Sequence, residues 1–327
     1  MSKKILVSGI KPTGRLHFGN YFGAMKQNID LARSGEYESY IFLADYHALT
    51  TVRNGDELRK QTIEATASYI ACGLDISKAT LFKQSDVRDV TELTWIFNNL
   101  VTMPYMMRAH AFKDQEAKDK EVNVGLFDYP ILMAADILIY GADVVPVGAD
   151  QKQHVEYARD IAGFYNRAYG VEQFALPKEY ILESVATLPG IDGKKMSKSY
   201  NNHIELFCEE EELKKRIMSI VTDSASPEEK KNPDENNIYN IHRLFLSQEE
   251  DRDLRAKFEN GGYGYKQAKD DLFEAVMKWR KGKKEVYDDL VANPEKIMQI
   301  LEEGGQKAKA KAEIIMKEVR KTVGLSF

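Results

Sequence analysis

Two short stretches carry residues whose types and spacing suit phosphate chemistry. The first, GIKPTGRLHFGN (Gly9 to Asn20), sets a hydroxyl (Thr13), an imidazole (His17) and an amide (Asn20) among glycines at the start of an amphipathic run. The N–H groups at a helix N-terminus have no intrahelical acceptor, so such a turn attracts anions. Gly19 would let a nucleoside lie close to the helix, and Thr13 and His17 would meet its phosphates, with Lys11 and Pro12 in the turn before them. The second stretch is KKMSKS, Lys194 to Ser199, entered through TLPGIDG. Lys195 and Lys198, interleaved with Met196, Ser197 and Ser199, make a cationic clamp. Cations aimed at a pyrophosphate leaving group stabilise the charge that develops in adenylyl transfer. A glycine-rich turn alone is equally an ordinary tight turn, and a lone KxxK is usually wet surface; the whole KMSKS pentapeptide is far more specific.

These groups need a frame. KILVSGI (Lys4 to Ile10) reads as a strand, followed by the turn and by a helix from Phe18 to Ser34. Ser39 to Leu49 reads as a second buried strand, Glu57 to Cys72 as a helix, Ala79 to Val87 as a third strand and Thr91 to Leu100 as a helix. Strands alternating with helices predict an α/β, Rossmann-like parallel sheet with helices on both faces, which binds ligands at the carboxyl ends of its strands. The loops after Ile10 and near Asp45 are then the place for chemistry. From Cys208 onward the strand signals fade. Helical patterns cover Glu209 to Val221, Ile238 to Leu246, Glu249 to Glu259, Gln267 to Arg280, Glu285 to Val291, Pro294 to Glu303 and Gly305 to Thr322, with an exposed loop from Ser224 to Asn237. The expected division is a catalytic domain over 1–205 and an all-helical domain over 206–327, its last helix packing back on the first domain.

A chain of 327 residues with 43% hydrophobic content supports two such domains. No apolar run reaches the roughly 18 residues that a membrane span requires, and the start has no signal-peptide pattern, so a cytoplasmic location is expected. Cys72 and Cys208 lack ligand spacing, which argues against a disulfide framework or a zinc site. The net charge of -5 gives no global nucleic-acid signature. Locally, Lys278 to Lys284 holds five cations in seven residues, and Lys307 to Lys321 holds six against two acids. Each is a solvated helix face unless something else predicts RNA.

LHFGN early, KMSKS late and a helical tail resemble the class I aminoacyl-tRNA synthetases, and most closely the bacterial tryptophanyl-tRNA synthetases. The resemblance covers nearly the whole chain through GIKPTGRLHFGNYFGA, ADYHALT, GLFDYPILMAADILIYGADVVPVGADQKQH, KKMSKSYNN, IVTDS and GGYGY. Tyrosyl-tRNA synthetases share the fold and both signatures but usually lack YPILMAADIL joined to VPVGADQKQH, which favours tryptophan. The resemblance implies ATP with Mg2+ as substrate, tRNA(Trp) and L-tryptophan as partners, and a homodimer. It assigns Gly148, Ala149 and Asp150 to ribose and adenine, Gln151 to the substrate ammonium, and Val7, Gly9, Val145 and Val147 to the tryptophan pocket. The helical domain would read the anticodon, with the basic runs holding backbone phosphate, so reversing the cations at 280, 281 and 283 should weaken tRNA binding and spare adenylate formation.

Helix geometry adds to this. Tyr129, Met133 and Asp136 fall on one helical face amid a mostly apolar run. An indole offers one polar group, its ring N–H, and needs an apolar slot with a single acceptor. The resemblance makes Asp136 that acceptor. His154, one turn beyond Gln151, suits helix packing as well as substrate contact. The chain departs from the family in having Lys11 for a common glutamine, Val7 for a frequent phenylalanine, and Gln115 for the second lysine of an FKxK loop, where Lys113 or Lys118 would substitute. Rival readings are tyrosine activation, another small nucleotidyltransferase, and a non-catalytic paralogue that binds tRNA or tryptophan, for which a pyrophosphate clamp has no use.

Overall fold

The apolar run KILVSGI forms β1 (Lys4–Ile10). A computed structural model describes residues 3–12, 14–108, 123–148, 152–180 and 188–326. After β1 come α1 (Phe18–Asn20), a π-helical turn (Tyr21–Met25) and α2 (Lys26–Ser34). Next are β2 (Tyr37–Leu43), α3 (Asp45–Ala48), α4 (Gly55–Ala71), β3 (Ala79–Lys83), α5 (Asp89–Asn98) and α6 (Met103–Met106). Then follow α7 (Val124–Leu138), β4 (Val144–Pro146), α8 (Lys152–Tyr169) and β5 (Lys178–Tyr180). The remainder is helical: α9 (Glu210–Met218), α10 (Asn237–His242), α11 (Gln248–Asn260), α12 (Tyr265–Arg280), α13 (Lys283–Ala292) and α14 (Pro294–Thr322).

The five strands are parallel, in the order β3-β2-β1-β4-β5. The order reverses between β1 and β4, where an open sheet of this kind leaves a crevice at its carboxyl ends. β2 is buried over its last five residues, as expected of a strand covered on both faces. Leu6, Ile41, Leu81 and Phe82 are almost wholly removed from water, each contributing about 1.5–3 kcal/mol of apolar burial.

Strands two and three are shorter than their apolar runs. β2 stops at Leu43 because the Asp45 carboxylate accepts the N–H groups of Tyr46 (3.1 Å) and Ser85 (2.9 Å) and starts α3. β3 stops at Lys83, whose N–H donates to Asp86 (3.2 Å) and closes a 3-10 turn over Gln84–Asp86. Both strand ends thus give way to turns bearing polar side chains.

By their contacts, Met1–Gly14, Asn28–Leu182 and Asn293–Phe327 make one compact unit, and Arg15–Gln27 with Glu183–Ala292 make a second. These units cut the chain differently from the stretches 1–205 and 206–327. Two features explain the difference. In the second unit, Phe18 packs edge-on against Trp279 (5.2 Å between ring centroids) and Phe245 (5.0 Å), and Tyr21 against Trp279 (4.9 Å), so the helix after β1 begins among C-terminal aromatics. In the first unit, α14 packs on β3 and sends Ala308, Ala312, Met316 and Val319 into the core around the sheet.

Other expectations change too. The pair Gly304–Gly305 does not break the last helix; α14 runs unbroken for 29 residues. Of the cations at 280, 281 and 283, only Lys281 is exposed. Arg280 is buried and donates to the carbonyl of Cys208, while Lys283 donates to the Trp279 carbonyl (2.7 Å) and lies over its ring (4.9 Å). Arg320, from the second basic run, is paired with Glu92 (2.6 Å), Glu313 (3.0 Å) and Asp89. The stretch from Ser224 is not wholly an exposed loop. Lys231 is buried there, its ammonium solvated by the carbonyls of Ser226 and Glu229 (2.9 Å each), and Pro233 and Asn236 are buried with it.

An added Cβ at Gly304 would stand 1.9 Å from the Leu81 carbonyl oxygen, which is backbone and cannot swing aside. Within a helix Gly→Ala normally stabilises by about 1 kcal/mol. Here Gly304→Ala should instead destabilise, by about 1–3 kcal/mol, read as a lowered midpoint in chemical unfolding.

Candidate active site

In the first unit, the carboxyl ends of β1, β2 and β3 and the helix α7 bring together polar side chains otherwise far apart in sequence. Asp136, on α7, is 1% exposed. Its carboxylate receives Gln84 Nε2 at 2.8 and 2.7 Å and lies 3.0 Å from His47 Nε2. Burial raises its pKa, and the hydrogen bonds from His47 and Gln84 oppose that shift. The acceptor expected at 136 is therefore not alone in an apolar slot: it already serves two protein groups. The His47 ring stands edge-on to Tyr129 (6.0 Å), and the Tyr129 hydroxyl is 2.7 Å from His154 Nε2. His154 thus packs against another helix through a hydrogen bond.

Lys11, just past β1, donates to Thr50 Oγ1 (2.8 Å), whose own hydroxyl donates to the His47 carbonyl (2.8 Å). Burial lowers the Lys11 pKa. Val7, Pro12, Val145 and Val147 are buried, and Met133 and Gly148 half-buried. At Gly9 a Cβ would lie 2.5 Å from the Phe42 ring, so any larger residue would require that ring to shift. Thr13, Ala149, Asp150 and Gln151, and the 110–120 stretch with Lys113, Gln115 and Lys118, lie outside the described residues.

The second unit joins the later part of the first phosphate-suited stretch, from Leu16 to Asn20, to the second stretch. Residues 16–18 run antiparallel to 204–206: Phe18 N–H donates to the Ile204 carbonyl (3.0 Å) and Leu206 N–H to the Leu16 carbonyl (2.9 Å). His17 is the residue before α1, and its N–H donates to Asn20 Oδ1 (3.1 Å). Gly19 N–H points at the Met196 sulfur (3.3 Å), and a Cβ there would be 2.9 Å from His17 Nδ1. His17, Gly19 and Asn20 therefore meet the loop that carries Lys195 to Ser199.

That loop is itself held from beneath. Asn202 Oδ1 accepts the Ser197 N–H (2.7 Å), and its Nδ2 donates to Asp192 (2.7 Å) and to the Lys195 carbonyl (3.1 Å). Asn201 takes the left-handed conformation, and Arg216 donates to its carbonyl and its side-chain oxygen (2.9 Å each). Lys195 and Ser199 are exposed, and Lys198 begins a 3-10 turn. The His17 ring is buried 5.6 Å from the His203 ring. Burial, with the charges of Lys198 and His203, lowers its pKa to about 3, so at neutral pH it is an uncharged imidazole. Among the described residues no cluster of three His, Cys, Asp or Glu side chains is set to hold a metal.

Sequence reasoning named Asp136 but missed its partners. The signal for Gln84 was a polar residue inside the run ATLFKQSDV, and for His47 the segment ADYHALT. Asn202 and Arg216 left no comparable trace, because three of their hydrogen bonds at this loop go to backbone groups that any residue carries.

Comparison with known proteins gives the family and the fold. The family profile of tRNA synthetases class I (W and Y) matches residues 2–279. A tryptophan–tRNA ligase of Fusobacterium nucleatum is 47% identical over 98% of this chain and 97% of its own, and one of Rhodopirellula baltica is 44% identical over 98% and 99%. A tryptophanyl-tRNA synthetase of Campylobacter jejuni, crystallised with ADP and tryptophan, superposes with a TM-score of 0.91 at 42% identity, covering 98% of this chain and 99% of that one. A tyrosyl-tRNA synthetase of Archaeoglobus fulgidus shares the fold, with a TM-score of 0.66 at 22% identity over 87% and 90% of the two chains.

The depressed His17 pKa has a stability consequence. Below about pH 6.5 the unfolded imidazole binds a proton that the folded one refuses until about pH 3, so stability should fall as the pH drops across that window, with no contribution above it. Chemical unfolding measured at a series of pH values should show this loss reduced in His17→Gln. Coincident curves would mean that the folded imidazole titrates normally.

Proposed function

The chain belongs to the class I tRNA synthetases of the tryptophan and tyrosine group, and from that premise we propose that it is a tryptophan–tRNA ligase. A carboxylate oxygen of tryptophan attacks the α-phosphorus of ATP, pyrophosphate leaves, and the terminal ribose hydroxyl of tRNA(Trp) then attacks the adenylate carbonyl carbon and releases AMP. No covalent enzyme intermediate is required; catalysis is positioning and charge stabilisation. The observation that supports tryptophan is the buried Asp136 carboxylate, a hydrogen-bond acceptor at the carboxyl edge of the sheet, suited to the one N–H that an indole offers.

In this reading Asp136 receives the indole N–H, and Val7, Gly9, Tyr129, Met133, Val145, Val147 and Gln151 shape the amino-acid pocket. Lys11, Pro12, Thr13, Gly148, Ala149 and Asp150 contribute to the nucleotide, as do His17, Gly19, Asn20, Met196, Ser197 and Ser199. Lys195 and Lys198 neutralise the departing pyrophosphate, while the neutral His17 donates or accepts a hydrogen bond without adding charge. Magnesium enters as part of the substrate, on the triphosphate; the described residues offer no carboxylate cage for it. The chain works in the cytoplasm as a homodimer. Its exposed apolar side chains on α5, α6 and the start of α7 fit a subunit contact: Trp95 is 70% exposed, Met103 63% and Val124 80%.

Pyrophosphate exchange into ATP, run with each amino acid in turn, tests the activity. Tryptophan alone should give a signal, and Lys198→Ala should lower its rate by roughly 100-fold; exchange driven by tyrosine, or by no amino acid, would refute the reading. The helical segments of the second unit would read tRNA, with Lys281 as the exposed cation of its run. Lys281→Glu should weaken tRNA binding and reduce its salt dependence by about one counterion, leaving exchange unchanged; a parallel loss of exchange would remove Lys281 from the tRNA surface.

A further inference from the structure

Gln84 sits in the turn after β3, buried, with both ends of its amide assigned. Its Oε1 accepts the backbone N–H groups of Tyr46 (3.1 Å) and His47 (3.4 Å), and its Nε2 meets both oxygens of Asp136 at 2.8 and 2.7 Å. Two backbone donors on Oε1 exclude the flipped amide, which would set an NH2 against two N–H groups. Toward Asp136 the amide is therefore a donor only. We infer that Gln84 is a specificity-determining positioning residue, whose amide, able only to donate toward Asp136, holds both carboxylate oxygens as acceptors so that they demand a donor from the substrate ring. This rests on the reading of Asp136 as the partner of the indole N–H.

The chemistry follows from the burial of that carboxylate. Removal from water pushes Asp136 toward its neutral acid, and the donors from His47 and Gln84 oppose this. An acid that kept its proton could present an O–H to a ring lacking any donor, and the preference for a ring N–H would fade. A held carboxylate with no proton to offer turns only acceptor lone pairs toward such a ring, so the substrate hydrogen bond is lost and two electron-rich atoms are set against each other, which makes the discrimination steep.

The test compares tryptophan with the analogue carrying sulfur in place of the ring nitrogen, as a ratio of kcat/KM in pyrophosphate exchange. Gln84→Met should lower that ratio roughly tenfold or more, with the KM for ATP unchanged. Asp136→Asn serves as the reference. If Asp136→Asn loses the discrimination while Gln84→Met keeps it, the inference about Gln84 is overturned and the Asp136 reading stands. If both keep it, the Asp136 reading fails and takes the inference with it. Should Gln84→Met not fold, Gln84→Glu preserves the shape but can donate only while protonated. Its ratio should then fall as the pH is raised and the proton shared with Asp136 is lost, against a flat parent; a ratio in the variant equal to the parent's at every pH overturns the inference equally. The other titratable groups that face Asp136 are His47, Asp45 and Tyr140, present in every variant.

Discussion

A carboxylate withdrawn almost completely from water has to be met by hydrogen-bond donors, and much of the first unit is arranged to supply them to Asp136. The donors come from the ends of two strands. β2 and β3 each give up hydrophobic residues that could have extended them, and the chain turns so that His47 and Gln84 face α7. Asp45 organises both turns at once, through the N–H groups of Tyr46 and Ser85. The pocket is thus a consequence of where the sheet stops.

The second unit solves a different electrostatic problem. A loop with two lysines stands against the turn that opens α1. Amides and charged groups order it together: Asn202, tied to Asp192, lies beneath the loop, Arg216 holds the left-handed Asn201, and burial and nearby cations keep the His17 imidazole uncharged. Hydrogen bonds to backbone and to amide side chains hold this loop in shape.

Close packing decides how the chain is shared out. Glycines at 304 and 305 let α14 approach β3 until a single methyl would collide with backbone, and this draws the last helix into the unit that holds the sheet. Aromatic burial does the reverse for Phe18 and Tyr21, drawing the helix after β1 into the unit that holds the C-terminal aromatics. Cations that look available for RNA in the sequence, Arg280 and Arg320, are consumed by the fold.

The alternation of strand and helix, the parallel sheet, the phosphate-suited motifs and the burial of Asp136 were legible along the chain, because periodicity, glycine placement and a carboxylate inside PILMAADIL are local signals. That Gln84 and His47 share that carboxylate, that Asn202 and Arg216 hold the lysine loop, and that the Gly304–Gly305 pair marks close packing and not a helix end emerges only once the chain is folded. Each of these depends on which surfaces meet across tens or hundreds of residues. A hydrogen bond to backbone, or a missing methyl at a contact, leaves no periodic mark along the chain.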